Sequence, residues 1–189
     1  MKHKTRETWL NDLAERLNDS VFSEKPLTKY RVTCGWPSRK ALSTKNRTLG
    51  QCFNPTCSDD STTELIVSMV VEDTMRVADI LAHEMIHGIV GTECGHKGPF
   101  RKLALQIGLT GKMTATSAGP EFIAVVEPIL KALGPYPHAK LDHSSLPKQS
   151  TRLIKCECEE CGYNVRITRK WLSEVGAPHC PEHGEMAIC

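Results

Sequence analysis

The sequence of 189 residues contains no long apolar run and no strong excess of one charge. No stretch approaches the roughly eighteen consecutive apolar residues of a transmembrane helix. The N-terminal segment is amphipathic, whereas a signal peptide has a continuous apolar stretch. With 40% hydrophobic and 24% charged residues, the composition excludes a disordered or collagen-like chain. We therefore expect a cytosolic globular protein that does not bind membranes.

The net charge of +2 conceals an uneven distribution of basic residues. Lys and Arg outnumber Asp and Glu by 11 to 5 over residues 1 to 50. This field is modest, so a basic surface without a partner is the simpler interpretation, and nucleic acid stays a candidate. The nine cysteines are an odd number and lie in tight local clusters. This usage argues against a secreted disulfide framework and favours metal binding.

Helical and strand patterns alternate along the first 140 residues, which predicts an α+β domain. Predicted strands cover residues 29–34, 48–53 and 64–71. Predicted helices run over about residues 5–23, from Asp73 or Thr74 to Gly91, from Pro99 to Gly108, and from Pro120 to Leu133. We expect the last helix to bend or break near Pro128. The domain organisation predicted is a main domain over residues 1–140, a Ser- and Pro-containing linker over 141–150, and a small cysteine-rich module over 151–189.

The long helix contains the motif His-Glu-Met-Ile-His over residues 83–87. His83 and His87 lie one turn apart on the same face, so both can reach one zinc ion, and Glu84 can hold a water on that ion. Zinc lowers the pKa of such a water to about 7, and Glu84 accepts its proton as the water attacks a carbonyl. A buried, unpaired carboxylate would be costly in this apolar helix without a ligand. The motif therefore predicts a catalytic zinc site with Glu84 as the base.

A catalytic zinc ion needs a third protein ligand, and three residues after the helix can supply it. His96 is favoured because Gly95 lets the chain turn back after the helix ends. Glu93 could serve as in sites with two histidines and a glutamate. Cys94 would give a thiolate ligand, which suits structural zinc better than peptide hydrolysis.

These residues resemble the SprT-like (Spartan-related) zinc metallopeptidase family, in which H-E-x-x-H is followed by a G-H-G-x-x-F motif. The matching positions are His83, Glu84, His87, His96 and Phe100. The resemblance covers roughly residues 30 to 140. The segments Gly108–Met113 and Leu133–His138 also resemble the shorter bacterial and phage members. Lys97 stands where the family usually has Gly, and the interval between the second and third histidines is short. The resemblance implies a zincin-like domain with a small sheet beside the active-site helix. It also implies peptide-bond hydrolysis, with DNA-associated proteins as substrates.

Tyr136 and His138 are candidates for stabilising the oxyanion. Zincin peptidases commonly use a Tyr or His donor from later in the chain for this role. Both residues lie in a Pro-rich loop, where packing of Tyr136 against the core is the simpler interpretation.

The C-terminal module contains a second set of metal-ligating residues. Cys158 and Cys161 form one pair and Cys180 and His183 another, with eighteen residues between the pairs, which is typical of a zinc ribbon. Four ligands close a tetrahedral site, so this zinc is structural and stabilises a module of about forty residues whose own core is too small. Cys156 is the alternative to Cys158, and His179 and Cys189 are further candidate ligands. A C-terminal zinc module also occurs in some members of the family.

Four residues of the module could contact nucleic acid through cations and an aromatic face: Arg166, Arg169, Lys170 and Trp171. Six acidic residues in the tail from Lys148 weaken this field.

The sequence as a whole predicts a Zn²⁺ metallopeptidase with one catalytic and one structural zinc. It would act on a protein or peptide substrate, and its ribbon would recruit it to DNA or to a protein. The alternative is a non-enzymatic zinc-bearing adaptor that binds nucleic acid or acts in transcription, and the intact Glu84 argues against it. No feature of the sequence specifies an oligomeric state.

Overall fold

A computed structural model describes residues 3–144 and 152–189 of the chain. Within these ranges the chain forms five α-helices and ten short strands, so the α+β class is confirmed. The chain divides into two compact units, Met1–His143 and Ser144–Cys189. Most of the predicted linker over 141–150 lies outside the described residues. None of the helices in the described ranges has the length and hydrophobicity that a membrane span requires.

The first unit packs four helices around a small sheet. Its helices are α1 (Arg6–Ser20), α2 (Thr74–Val90), α3 (Pro99–Gln106) and α4 (Pro120–Leu133). Its strands are β1 (Tyr30–Gly35), β2 (Gly50–Phe53), β3 (Thr63–Ser68), β4 (Leu109–Lys112) and β5 (Ala115–Ala118). The sheet order is β1-β3-β2, with β1 parallel and β2 antiparallel to the central strand β3. Strands β4 and β5 form a separate antiparallel hairpin.

Helix α2 is the central element of this unit and packs against β2, β3, β5 and the other three helices. The Asp73 side chain caps its N-terminus by accepting a hydrogen bond from the backbone N–H of Arg76 (2.7 Å). The helix ends at Gly91, whose φ of 86° is the left-handed region that favours glycine. The predicted start and end of this helix are therefore confirmed. Most of its side chains are buried, which explains why the sequence is apolar on nearly every face.

Helix α4 differs from the prediction because it continues through Pro128 to Leu133. Proline removes one backbone hydrogen bond, the one to the carbonyl of Ala124 four residues earlier. Both Pro128 and Ala124 are exposed, so water can satisfy that carbonyl. Of the two outcomes predicted at Pro128, a bend or a break, the break is therefore wrong.

The second unit consists of short strands and one short helix. They are β6 (Ile154–Glu157), β7 (Asn164–Ile167), α5 (Arg169–Val175), β8 (His179–Cys180), β9 (Gly184–Glu185) and β10 (Ala187–Ile188). Strands β10, β6 and β7 form one antiparallel sheet, and β8 and β9 form a second hairpin. Over residues 152–189 its buried apolar side chains are few, namely Cys156, Cys158, Cys180 and Met186. Three of these four are cysteines, so the unit has little apolar core of its own.

Candidate metal centres

Three histidine side chains converge in the first unit. His83 and His87 lie on one face of α2, and His96 reaches them from the segment between α2 and α3. The Nε2 atom of His96 lies 3.1 Å from Nε2 of His83 and 3.2 Å from Nε2 of His87. The ligand atoms of all three lie within 4.8 Å of one another, so this cluster could hold a metal ion.

The segment after α2 turns back by means of two glycines with positive φ, Gly95 at 54° and Gly98 at 46°. Backbone hydrogen bonds close this turn, from Gly95 N–H to Thr92 and from Lys97 N–H to Cys94. Lys97 is exposed and is not among the residues with positive φ. Its position therefore does not require glycine, and its side chain does not line the cavity at the histidines.

Phe100 holds the three imidazole rings in place. It is fully buried on α3, and its ring centroid lies 4.8 Å from that of His83, 4.4 Å from that of His87 and 4.9 Å from that of His96. Such ring pairs add to the stabilisation that burial gives. The aromatic residue of the motif thus packs against every histidine of the cluster.

The donor set of this cluster fits a zinc ion. Four tetrahedral ligands at zinc–nitrogen distances place neighbouring nitrogens about 3.3 Å apart, close to the separations observed here. Burial lowers the pKa of His83 to about 3 and that of His87 to about 4, and it also lowers the pKa of His96. The imidazoles are therefore neutral at pH 7, which is the form that binds metal.

Glu84 lies beside the cluster and is almost fully buried between α2 and β2. The backbone N–H of Cys52 donates a hydrogen bond to its carboxylate, while burial raises its pKa to about 8. A divalent cation in the histidine cluster would oppose this effect and favour the ionised carboxylate. Gly50 leaves the space that the carboxylate occupies, because a Cβ there would lie 2.5 Å from Oε1 of Glu84. Glu84 and the three histidines line one cavity of about 940 Å³.

Thr116 on β5 orients the first histidine. Its hydroxyl Oγ1 lies 2.8 Å from Nδ1 of His83. When Nε2 of this ring binds a metal, the ring proton is on Nδ1, and Nδ1–H donates a hydrogen bond to the hydroxyl. Arg76 donates to the Thr116 carbonyl (2.8 Å) and pairs with Asp79 (2.6 Å). Asp79 in turn accepts a hydrogen bond from the backbone N–H of Ala118 (3.1 Å). These bonds join β5 to α2 at the metal centre.

We expect Thr116→Ala to weaken zinc binding at this centre by about 10- to 100-fold, because the ring of His83 loses its hydrogen-bond partner. Thr116→Ser keeps the hydroxyl and should restore most of the affinity. Competition with a chromophoric chelator measures both variants in the full chain. Equal affinities for the alanine variant and the wild type would show that Thr116 does not position His83.

The alternatives for the third ligand lie outside the cluster. Glu93 is exposed, and its carboxylate accepts a hydrogen bond from the Asn54 amide (2.8 Å). The Cys94 sulfur lies 3.5 Å from the carbonyl oxygen of Gly91 and is directed to the backbone of its own turn. The structure thus brings only His96, of the three candidates, to the two histidines of α2.

Tyr136 and His138 also lie away from the histidines. Tyr136 is buried, its ring lies 5.0 Å from that of Trp9, and its hydroxyl donates to Sγ of Cys34 (3.5 Å). His138 Nε2 lies 3.1 Å from the carbonyl oxygen of Lys4. Neither residue lines the cavity at the histidine cluster. Packing of Tyr136 against the core is confirmed, and the structure gives neither residue a position from which to stabilise an oxyanion there.

The second unit contains the other cluster that could hold a metal ion in the described part of the chain. It consists of Cys158, Cys161, Cys180 and His183. Nδ1 of His183 lies 3.6 Å from Sγ of Cys158 and 3.5 Å from Sγ of Cys180, and the sulfurs of Cys161 and Cys180 are 3.7 Å apart. Tetrahedral zinc with sulfur and nitrogen ligands requires separations of about 3.6–3.8 Å. This set also fits zinc.

The turns of the two ligand pairs have the geometry of metal knuckles. Gly162 and Gly184, which follow the pairs, have φ of 74° and 88°. Backbone N–H groups of Cys161 and Glu160 donate to the Cys158 sulfur and hold its pKa below the ordinary value. Cys156 is fully buried on β6 and is not part of the cluster, so the structure brings Cys158 to this centre instead.

The four candidate nucleic-acid residues lie on β7 and α5 of the second unit. Trp171 is 51% exposed, and the Lys170 ammonium lies 5.0 Å from its ring centroid. Arg166 and Arg169 are also exposed. The structure therefore presents these side chains to solvent, and none of them contacts the metal cluster.

Comparison of the chain with protein-family models, with curated proteins and with solved structures gives no match.

Proposed function

We propose that the chain is a zinc-dependent metallopeptidase and that its first unit is a zincin-like catalytic domain. The observation that supports this most is the position of Glu84. Three neutral imidazoles converge at one end of an open cavity, and a carboxylate on the same helix lines the same cavity. This combination suits hydrolysis, which requires three protein ligands, an open coordination position and a general base.

His83, His87 and His96 would hold the zinc. Bound there, zinc supplies a Lewis acid that polarises a carbonyl and lowers the pKa of a coordinated water to about 7. The Glu84 carboxylate, oriented by the Cys52 N–H, accepts one proton from the attacking water as its oxygen bonds to the peptide carbon. Glu84 then transfers that proton to the amide nitrogen, and the carbon–nitrogen bond breaks. Thr116 and Phe100 keep the imidazoles in position throughout.

The burial of Glu84 favours this proposal over a non-enzymatic adaptor. Burying a carboxylate costs free energy, and against that cost the surroundings of Glu84 supply one backbone donor, the N–H of Cys52. A structural metal site with three histidines has no use for such a group. A general base beside a bound water does.

The second centre would hold a structural zinc, which gives the second unit the stability that its few buried side chains do not provide. Its thiols require a reducing compartment such as the cytosol to stay free for metal. We further propose that this unit recruits the enzyme. The exposed Trp171 beside Lys170 favours contact with single-stranded nucleic acid, which would agree with DNA-associated protein substrates.

The test of the proposed function is cleavage of an unfolded protein, such as reduced and alkylated casein, by the zinc-loaded full chain. We expect fragments to appear, cleavage to stop after chelation, and added zinc to restore it. Absence of cleavage by a chain that contains both zinc ions would contradict the proposal and favour the adaptor.

A further inference from the structure

The cavity at the histidine cluster is strongly basic on its rim. Among the described residues, its cationic lining is Arg39, Lys40, Arg47, Arg76 and Lys112. Glu84 is the single carboxylate among the described lining residues, and it is buried beneath the histidines. The chain as a whole has a net charge of only +2, so this concentration of positive charge is local.

The internal pairing of these cations shows which of them are available to a ligand. The Arg76 charge is balanced by Asp79 at 2.6 Å. Arg47 donates a hydrogen bond from Nε–H to the Ser43 carbonyl (2.9 Å), and its Nη2 lies 3.1 Å from Nε2 of His143. No carboxylate of the described part of the chain forms an ion pair with it, so its charge is not balanced by an acidic group there. Arg39, Lys40 and Lys112 are exposed and form no ion pair within the described residues. Four positive charges around the cavity are therefore not neutralised by the protein.

The cations come from two segments of the chain that line the cavity. Arg39, Lys40 and Arg47 lie in the segment between β1 and β2, whereas Lys112 ends β4 in the hairpin that supports His83. A polypeptide bound in this cavity would therefore meet positive charge from both segments. Low-dielectric walls strengthen such a field at the centre of a cleft.

From this lining we propose, as an extension that rests on the proposed peptidase function, that the cavity selects polypeptide segments with acidic side chains near the scissile bond. The positive charges on the rim raise the association rate of acidic peptides and weaken the binding of basic ones. The chemistry of the lining favours a polypeptide over nucleic acid as the occupant. No Phe, Tyr or Trp side chain is among the described lining residues, whereas grooves that bind single strands commonly stack bases on such rings.

The experiment measures binding and cleavage separately. Fluorescence anisotropy with zinc-loaded Glu84→Gln full chain reports the affinity for a short labelled peptide that alternates Glu and Ala. The comparison ligands are the same peptide with Gln for Glu, and oligothymidylate of equal charge. We expect the acidic peptide to bind roughly tenfold more tightly than the Gln peptide, with a difference that shrinks as salt rises.

The cleft variant combines Arg39→Glu with Lys112→Glu. Its matched control combines Arg101→Glu with Lys102→Glu, two equally exposed cations of α3 that do not line the cavity. We expect the cleft variant to lose the preference for the acidic peptide and the control to keep it. Equal affinities for the acidic and Gln peptides would overturn the inference. An equal loss of affinity for the acidic peptide in the cleft variant and in its control would also overturn it. Oligothymidylate binding that falls in the cleft variant while the peptides do not differ would overturn it in favour of nucleic acid.

Wild-type cleavage distinguishes failure of this inference from failure of the proposed function. Hydrolysis of both peptides at equal rates would leave the peptidase intact and remove the acidic preference. Selective binding of the acidic peptide without hydrolysis by the wild type would retain the preference and contradict the peptidase.

Discussion

Replacing Glu84 by Gln should lower the rate of peptide hydrolysis by about 10²- to 10⁴-fold and leave the zinc content unchanged. The reason is that Gln fits the same space and its carbonyl oxygen can still accept the Cys52 N–H, but it cannot take a proton from water. The three histidines that would hold the metal are untouched. The measurement is kcat/KM on an unfolded protein substrate, together with zinc per chain by elemental analysis.

Glu93→Gln is the matched control for this variant. Glu93 lies just beyond the end of α2, is exposed and pairs with the Asn54 amide outside the cavity. It should keep both activity and zinc. If Glu84→Gln lost zinc together with activity, Glu84 would be a structural residue, and the assignment of the base would be wrong.

Replacing Cys180 by Ala should unfold the second unit and leave the first unit folded. Cys180 is one of four ligands, and the remaining buried side chains of this unit are too few to stabilise it without metal. Structural zinc contributes about 10–16 kcal/mol to small modules of this kind, which is more than their whole stability. Backbone amide NMR spectra of the full chain should show the signals of residues 152–189 collapse to unfolded positions while those of the first unit stay dispersed.

Cys189→Ala is the control for this second prediction. Cys189 is exposed, free and outside the metal cluster, so its loss should leave the spectrum of the second unit dispersed. Zinc per chain should fall by one in the Cys180 variant and not in the control. A folded second unit in the Cys180 variant would show that its strands are stable without the metal.

Residue spacing predicted those elements that depend on contacts between residues close together in the sequence. The cap at Asp73, the stop at Gly91 and the apolar pattern between them define α2, and the two histidines follow from the helical period. Positive φ at Gly162 and Gly184 likewise agrees with the turns that the cysteine spacing of the ribbon requires. These features depend on neighbours within a few residues, which a sequence displays directly.

The contacts made by distant segments could not be predicted in this way. Thr116 reaches His83 through the β4–β5 hairpin, whose residues are mostly small or polar and give no strand signal. Gly50 leaves space for the Glu84 side chain where β2 packs against α2. A lone glycine in a short strand does not indicate which distant side chain will pack against it. The basic rim likewise combines residues from two segments that the sequence separates by about seventy positions.

Zinc per chain, measured in the wild type and in His96→Ala, tests the central claim most directly. His96 is the ligand that lies outside the helical motif and is partly exposed, so its replacement changes the cluster with little effect on the core. We predict two zinc ions in the wild type, one in the variant, and no hydrolysis by the variant. A single zinc in the wild type that persists in His96→Ala would contradict the account, because the metal would then reside in the second unit alone.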